Sequence, residues 1–76
     1  MKVEIHYCTM WNYKPTAARV AAELKKDLDL DATLVAGSNG IFDVTLDGKK
    51  VFSKKEIGRF PDAGEVTETI RAGMRD

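Results

Sequence analysis

The 76-residue chain holds one cysteine, one histidine and two prolines, and it carries no surplus charge of either sign. A lone cysteine, Cys8, cannot close a disulfide within its own chain, which excludes a disulfide-stapled secreted scaffold. One cysteine with one histidine, His6, cannot build the usual Cys/His cage of a structural zinc site. Twelve basic residues cancel twelve acidic ones, so the positive excess of a general nucleic-acid or anionic-membrane binder is missing. No long apolar run occurs, and only Lys2 precedes residues of mixed polarity. Neither a signal peptide nor a membrane span is therefore expected, and the cytoplasm is the expected location. What the chain does have is an apolar content of 43%, too high for a disordered tail. Its length suits one small core without a deep cavity, and a single domain over residues 1–76 is expected.

Two hydrophobic periods organise that content. Lys2 to Tyr7 alternates, with Val3, Ile5 and Tyr7 on one face and Lys2, Glu4 and His6 on the other, which predicts a half-buried strand. Ala17, Ala21, Leu24 and Leu28, with Val20 beside them, recur at helical spacing. Pro15 belongs in the first turn of this helix, where its missing N–H costs nothing, and Asn12 is the expected N-cap. Asp31 to Ala36 alternates again, with Ala32, Leu34 and Ala36 on one side, before Gly37-Ser38-Asn39-Gly40 breaks the chain. Ile41 to Leu46 and Lys50 to Ser53 form a hairpin about Asp47-Gly48. A polar connector, Lys54 to Arg59, leads to Phe60-Pro61 and a last helix with Ala63, Val66, Ile70 and Met74 on its stripe. Asp62 and Glu65 fall in its first turn, Arg71 and Arg75 in its last, as the helix dipole favours. The order β-α-β-β-β-α predicts an α+β two-layer sandwich: a four-stranded mixed sheet with two helices on one face. Lys2, Glu4, His6, Asp43 and Thr45 would occupy the open face. This connectivity is that of a minimal thioredoxin-like domain.

Chemistry concentrates at the junction between the first strand and the first helix. Cys8 falls there, where helix N–H groups and the helix dipole would favour a thiolate over a thiol. A redox role also requires its sulfur to be reachable, whereas a structural role makes Cys8 an inert apolar filler; position alone supports either. A Cys8–His6 dyad needs the strand to stay regular through Cys8, and the simpler place for His6 is the open sheet face. Met10, Trp11 and Tyr13 crowd the loop with large side chains. Met10 and Trp11 are expected at the surface, as an apolar patch for a protein or peptide partner, and Tyr13 at the end of the core. Lys49, Lys50, Lys54, Lys55 and Arg59 form the main basic concentration, which reads as protection of an exposed strand edge. Gly37 to Gly40 is too short for a phosphate-binding P-loop and precedes a strand, so it reads as a turn.

The run Tyr7-Cys8-Thr9-Met10-Trp11-Asn12-Tyr13-Lys14-Pro15, followed by an amphipathic helix, resembles the selenoprotein W–like (Rdx) family. In that family the first strand ends in Cys-x-x-selenocysteine or Cys-x-x-Cys, often followed by Gly-Tyr-Lys-Pro. The stretches Gly37 to Val44, Asp47-Gly48, Val51-Phe52-Ser53-Lys54 and Gly58-Arg59-Phe60-Pro61 are similar to its later segments, in the same order. The resemblance implies a thioredoxin-like fold and a thiol or selenol redox role. It implies Cys8 as the catalytic residue; Met10, Trp11, Tyr13, Gly40 and Phe60 are the expected surface meeting a substrate or partner. No cofactor or metal is implied. Protein thiols or glutathione are the expected redox partners, with neither nucleic acid nor membrane. Thioredoxins and glutaredoxins place a cis-proline where this chain has Gly40, so their usual backbone dock is not carried over. The chain also departs from the family at Trp11, where the second cysteine or selenocysteine would stand. The selenocysteine codon UGA lies one base from the tryptophan codon UGG. Indole cannot resolve a mixed disulfide, so an internal dithiol cycle is excluded and monothiol chemistry at Cys8 is left. Whether the chain is a thiol oxidoreductase stays open at this stage, the alternative being a non-catalytic binding module that uses Met10 and Trp11.

Overall fold

Val3 and Ile5 are fully buried while Glu4 and His6 between and beyond them are partly exposed, the signature of a strand covered on one face. This strand, β1 (Val3–Cys8), is the first of seven elements in the computed structural model, which describes residues 1–74. It is followed by α1 (Lys14–Leu28), β2 (Ala32–Gly37), β3 (Phe42–Leu46), β4 (Lys49–Ser53), a one-turn α2 (Lys54–Ile57) and α3 (Glu65–Met74). The strands form one mixed sheet in the order β2-β1-β3-β4. β1 runs parallel to β2, with Cys8 opposite Gly37, and antiparallel to β3, with Tyr7 opposite Phe42. β3 and β4 pair antiparallel across Asp47 and Gly48, both at positive φ as a tight two-residue hairpin turn requires.

Helices α1 and α3 pack against each other and against one sheet face, giving the two-layer α+β arrangement. Ala17, Val20 and Leu24 of α1 meet Val66 and Ile70 of α3 over Val3, Ile5, Phe42, Val44 and Phe52. Burial of these side chains at about 25 cal/mol per Å² of apolar surface is the main force holding the layers together. Among the described residues no helix is long and apolar enough to cross a membrane.

Several boundaries differ from the sequence reading. Asn12 does not cap α1: its φ is 55°, and Tyr13 occupies the cap position with no side-chain hydrogen bond. The chain spends Asn12 on a left-handed turn, which asparagine tolerates, and the helix starts at Lys14 with Pro15 in its first turn. The Lys54–Arg59 connector is not irregular throughout. Ser53 Oγ accepts a hydrogen bond from the Glu56 amide at 3.4 Å, and Gly58 closes the single turn of α2 at φ 89°. The last helix begins at Glu65, because Gly64 at φ 78° ends the approach to it; Ala63 and Met74 are exposed, and the buried stripe shortens to Val66 and Ile70 with Thr67 beside them. Ala36 also faces solvent, since β2 is an edge strand. The return strand starts one residue early at Lys49 and carries a bulge, Phe52 pairing with Val44 but Lys50 with Thr45. Arg75, expected in the last helical turn, lies outside the described residues.

Glu65 organises the approach to α3. Arg59 donates two parallel hydrogen bonds to the Glu65 carboxylate, at 2.7 and 2.9 Å, and the Asp62 amide donates a third at 2.9 Å. These bonds, the guanidinium first, hold the Glu65 carboxyl at about 2, well below the usual carboxylate range. Arg19 donates to the Pro61 carbonyl and Gly64 to the Glu23 carboxylate, tying the same segment to α1. Phe60 is thereby fixed above the end of the core. Because the folded value is depressed, this stabilisation is present above the unfolded carboxyl value of about 4.3 and disappears as pH falls toward the folded one. Glu65→Gln should lower stability at neutral pH and flatten its decline between about pH 5 and pH 2, read as urea midpoints across that range.

Candidate functional site

Cys8 ends β1, and two turns close over it. Its N–H donates to the Ile41 carbonyl at 2.9 Å, and its carbonyl accepts from the Tyr13 amide at 3.4 Å. One turn runs from Thr9 to Asn12; the other, Ser38 to Ile41, has Asn39 and Gly40 at φ 58° and 71° and closes with Ile41 N–H on the Ser38 carbonyl at 3.2 Å. The backbone amides of Trp11, Gly40 and Met10 are directed toward the Cys8 sulfur. Burial pushes the thiol pKa up, but these three backbone donors pull it down further, and the net displacement is below the ordinary thiol value. The donors belong to the two turns and not to the N-terminus of α1, which corrects the helix-dipole expectation: α1 begins only at Lys14.

The sulfur is not openly displayed either. Cys8 is 1% exposed, although it stands apart from the contiguous apolar cluster of the core. The sequence reading required a reachable atom, and the fold covers it. The Trp11 ring packs on one of the two turns beside Cys8, so close to Gly40 that a Cβ there would sit 2.5 Å from Cζ3. Trp11 itself is 62% exposed and Met10 82%. Behind Trp11, an edge-to-face file of aromatic rings runs into the core: Trp11 to Tyr13 at 6.2 Å between centroids, Tyr13 to Phe60 at 4.7 Å, and Phe60 to Phe42 at 5.4 Å. Cys8, Trp11 and Gly40 are thus brought together, and Met10 contributes its amide while its side chain projects outward. Tyr13 and Phe60 are half-buried supports for Trp11. His6 pairs with Glu4, its Nε2 3.7 Å from Oε1, on the open face of the sheet.

Beside Trp11 lies an open groove of about 800 Å³, lined by Gly37, Gly40 and Ile41 and by Lys50, Lys54 and Lys55. Lys54 Nζ rides over the Phe60 and Tyr13 rings, 5.2 and 5.7 Å from their centroids. Sequence reasoning took these lysines as edge protection and missed the groove. The usable signal was Ser53-Lys54-Lys55-Glu56, a capping pattern that turns the chain into a helical wall. Among the described residues no three His, Cys, Asp or Glu side chains gather as a metal-binding group.

Gly40 and Gly48 offer a paired test of the Trp11 contact, because both have positive φ but only Gly40 has a neighbour that a Cβ would meet. Gly48→Ala should cost about 1–2 kcal/mol from left-handed strain alone and leave tryptophan emission unchanged. Gly40→Ala should cost more, red-shift the emission of Trp11, the chain's single tryptophan, and speed the reaction of Cys8 with an aromatic disulfide reagent. Chemical denaturation, fluorescence and thiol-labelling rates check these three outcomes.

The Rdx family model matches residues 2–72. A solved structure from Bordetella parapertussis is 29% identical and superposes with a TM-score of 0.87, covering 95% of this chain and 95% of that one. The selenoprotein W-related protein from Vibrio cholerae is 24% identical, with a TM-score of 0.87 over 93% of this chain and 92% of its own, a likeness of fold. Migration and invasion enhancer 1 of Bos taurus is 28% identical over 74 residues, and that of Mus musculus 29% over 72. Those alignments cover 93% and 91% of this chain but only 63% and 61% of the relatives, so the chain spans about three fifths of their length. With a family match that runs almost from end to end, through both turns that close over Cys8, the chain belongs to the Rdx family.

Proposed function

We propose that the protein is a small thiol redox protein working through a single sulfur, Cys8, which forms mixed disulfides with protein thiols or glutathione. Membership of the Rdx family supports a thioredoxin-like, redox-type role in general terms. The observation that carries the finer reading is the convergence of three backbone N–H groups on the Cys8 sulfur. Fixed amides at that point favour the thiolate, which is the nucleophile in disulfide exchange. The thiolate attacks one sulfur of a disulfide; a new S–S bond to Cys8 forms, the old one breaks, and the departing sulfur leaves with the electron pair and takes a proton. An outside thiol then attacks the mixed disulfide and releases the Cys8 thiolate, becoming joined to the former substrate. Trp11 cannot replace that outside thiol.

A second reading is favoured by one contrast: the sulfur is 1% exposed while Met10 and Trp11 stand well out in solvent. On that reading the loop is a binding surface and the thiol is inert. Alkylation rates across pH separate the two. The redox reading expects an inflection below the free thiol value of about 8.5, together with addition of one glutathione from its disulfide, both abolished in a folded Cys8→Ser variant. An ordinary, unreactive thiol would leave the binding module.

Trp11→Cys provides a further check of the loop. A sulfur there should close a reversible disulfide with Cys8 under mild oxidation, seen by mass spectrometry as loss of two hydrogens and reversed by reductant.

A further inference from the structure

The groove beside Trp11 has a charge pattern that the thiol reading leaves unused. Its two acids, Asp43 and Glu56, both face Lys50, at 3.8 and 3.0 Å from Nζ. Among the described residues no ion pair reaches the other two lysines of the groove, Lys54 and Lys55. Lys54 is instead held over the Phe60 and Tyr13 rings, a placement that keeps its ammonium fixed without neutralising it. The groove is also lined by Trp11, Gly40, Ile41 and Gly37. Each of these meets Cys8 through the backbone: Trp11 and Gly40 direct their amides toward its sulfur, Ile41 accepts from its amide, and Gly37 is its partner across β2. The groove therefore borders the turns that cover Cys8, and its three lysines against two acids leave it a net charge of +1, with Lys54 and Lys55 outside the Lys50 ion pairs, beside an exposed aromatic ring.

We infer that this groove docks an extended, acidic segment of a partner protein, placing a cysteine of that segment beside the turns that cover Cys8 and its carboxylates at Lys54 and Lys55. The inference deepens the thiol reading and relies on it only for the fate of the partner's cysteine. Charge complementarity is what selects the occupant. A basic segment would meet two like charges, and a neutral one would leave Lys54 and Lys55 without counter-charges. The groove is open, so the segment lies across it as a strip and is not enclosed, and Trp11 supplies the apolar contact that such rims need. Both lysines are solvent-accessible, so the attraction is screened by salt and acts chiefly on partner selection and association rate.

The test uses the full chain and two synthetic peptides that differ only in flanking residues, acidic in one and lysine in the other, around a central serine. Binding is read from Trp11 emission at low ionic strength. The acidic peptide should bind about tenfold more tightly, with the difference shrinking toward unity as salt rises. Lys55→Gln, at an exposed position, should weaken its binding by about two- to fivefold, and Lys54→Gln/Lys55→Gln by more. Equal binding of the two peptides, or a preference untouched by both lysine changes, overturns the inference. Displacement of the acidic peptide by equimolar oxidised glutathione overturns it in favour of a small disulfide ligand. Emission that changes with protein concentration alone overturns it in favour of a second copy of the chain. In parallel, cysteine versions of the peptides, activated as thionitrobenzoate mixed disulfides, are presented to the protein. Serine-peptide binding with an inert Cys8 leaves the groove standing and removes the redox reading. Thiol exchange without peptide preference does the reverse.

Discussion

Strand β1 is flanked by the end of β2 on one side and the start of β3 on the other, so residues 38–41 have to cross directly over its last residue, Cys8. That constraint comes from topology alone, and the rest of the site follows from it. A crossing so short must turn tightly, which Asn39 and Gly40 allow by taking positive φ. The same turn delivers the Gly40 amide to the sulfur and leaves a bare Cα for the Trp11 ring to rest on. A side chain at Gly40 would strike that ring and move the loop that carries the other two donors.

The covered sulfur is a compromise between two physical demands. Burial by itself disfavours a thiolate, because the anion gives up its hydration. Backbone amides held at fixed positions replace part of that hydration and reverse the direction of the shift. They can do so only if the turns are rigid, and rigid turns also narrow the way in. The aromatic file from Trp11 through Tyr13 and Phe60 to Phe42 supplies the rigidity, since it anchors the loop in the same core that α1 and α3 form against the sheet. Arg59 and Glu65 complete the support by fixing the segment that carries Phe60.

The same arrangement explains why the groove lies where it does. The β4 bulge and the Ser53 cap turn the chain sharply into α2, whose lysines then line the groove with Trp11. Lys50 is neutralised by Asp43 from the neighbouring strand and by Glu56 from α2, so the positive character of the wall passes to the two residues that follow Ser53. Of the basic run that looks in sequence like protection of a strand edge, the fold pairs Lys50 with Asp43 and Glu56 and Arg59 with Glu65, and leaves Lys54 and Lys55 lining the groove outside those pairs.

Periodicity carried the architecture, because the alternation of Val3 and Ile5 with Glu4 and His6, and the helical spacing of Ala17, Leu24 and Val20, record local geometry that each segment satisfies by itself. The hairpin at Asp47-Gly48 was equally local, and Tyr7-Cys8 through Pro15 marked both the junction and the family. The one-turn α2 escaped because four residues show no period, and Asn12 looked like a cap because its use in a left-handed turn depends on where the loop must go. Sequence by itself thus determined the four strands, the two long helices, their order and the identity of the sulfur. Tertiary structure alone decided that this sulfur is covered, that the amides acting on it come from Met10, Trp11 and Gly40 and not from a helix end, and that Lys54 and Lys55 line a groove with Trp11 and Gly40. The reason is that each of those facts joins residues distant in the chain, and a local pattern has no means of recording such a meeting.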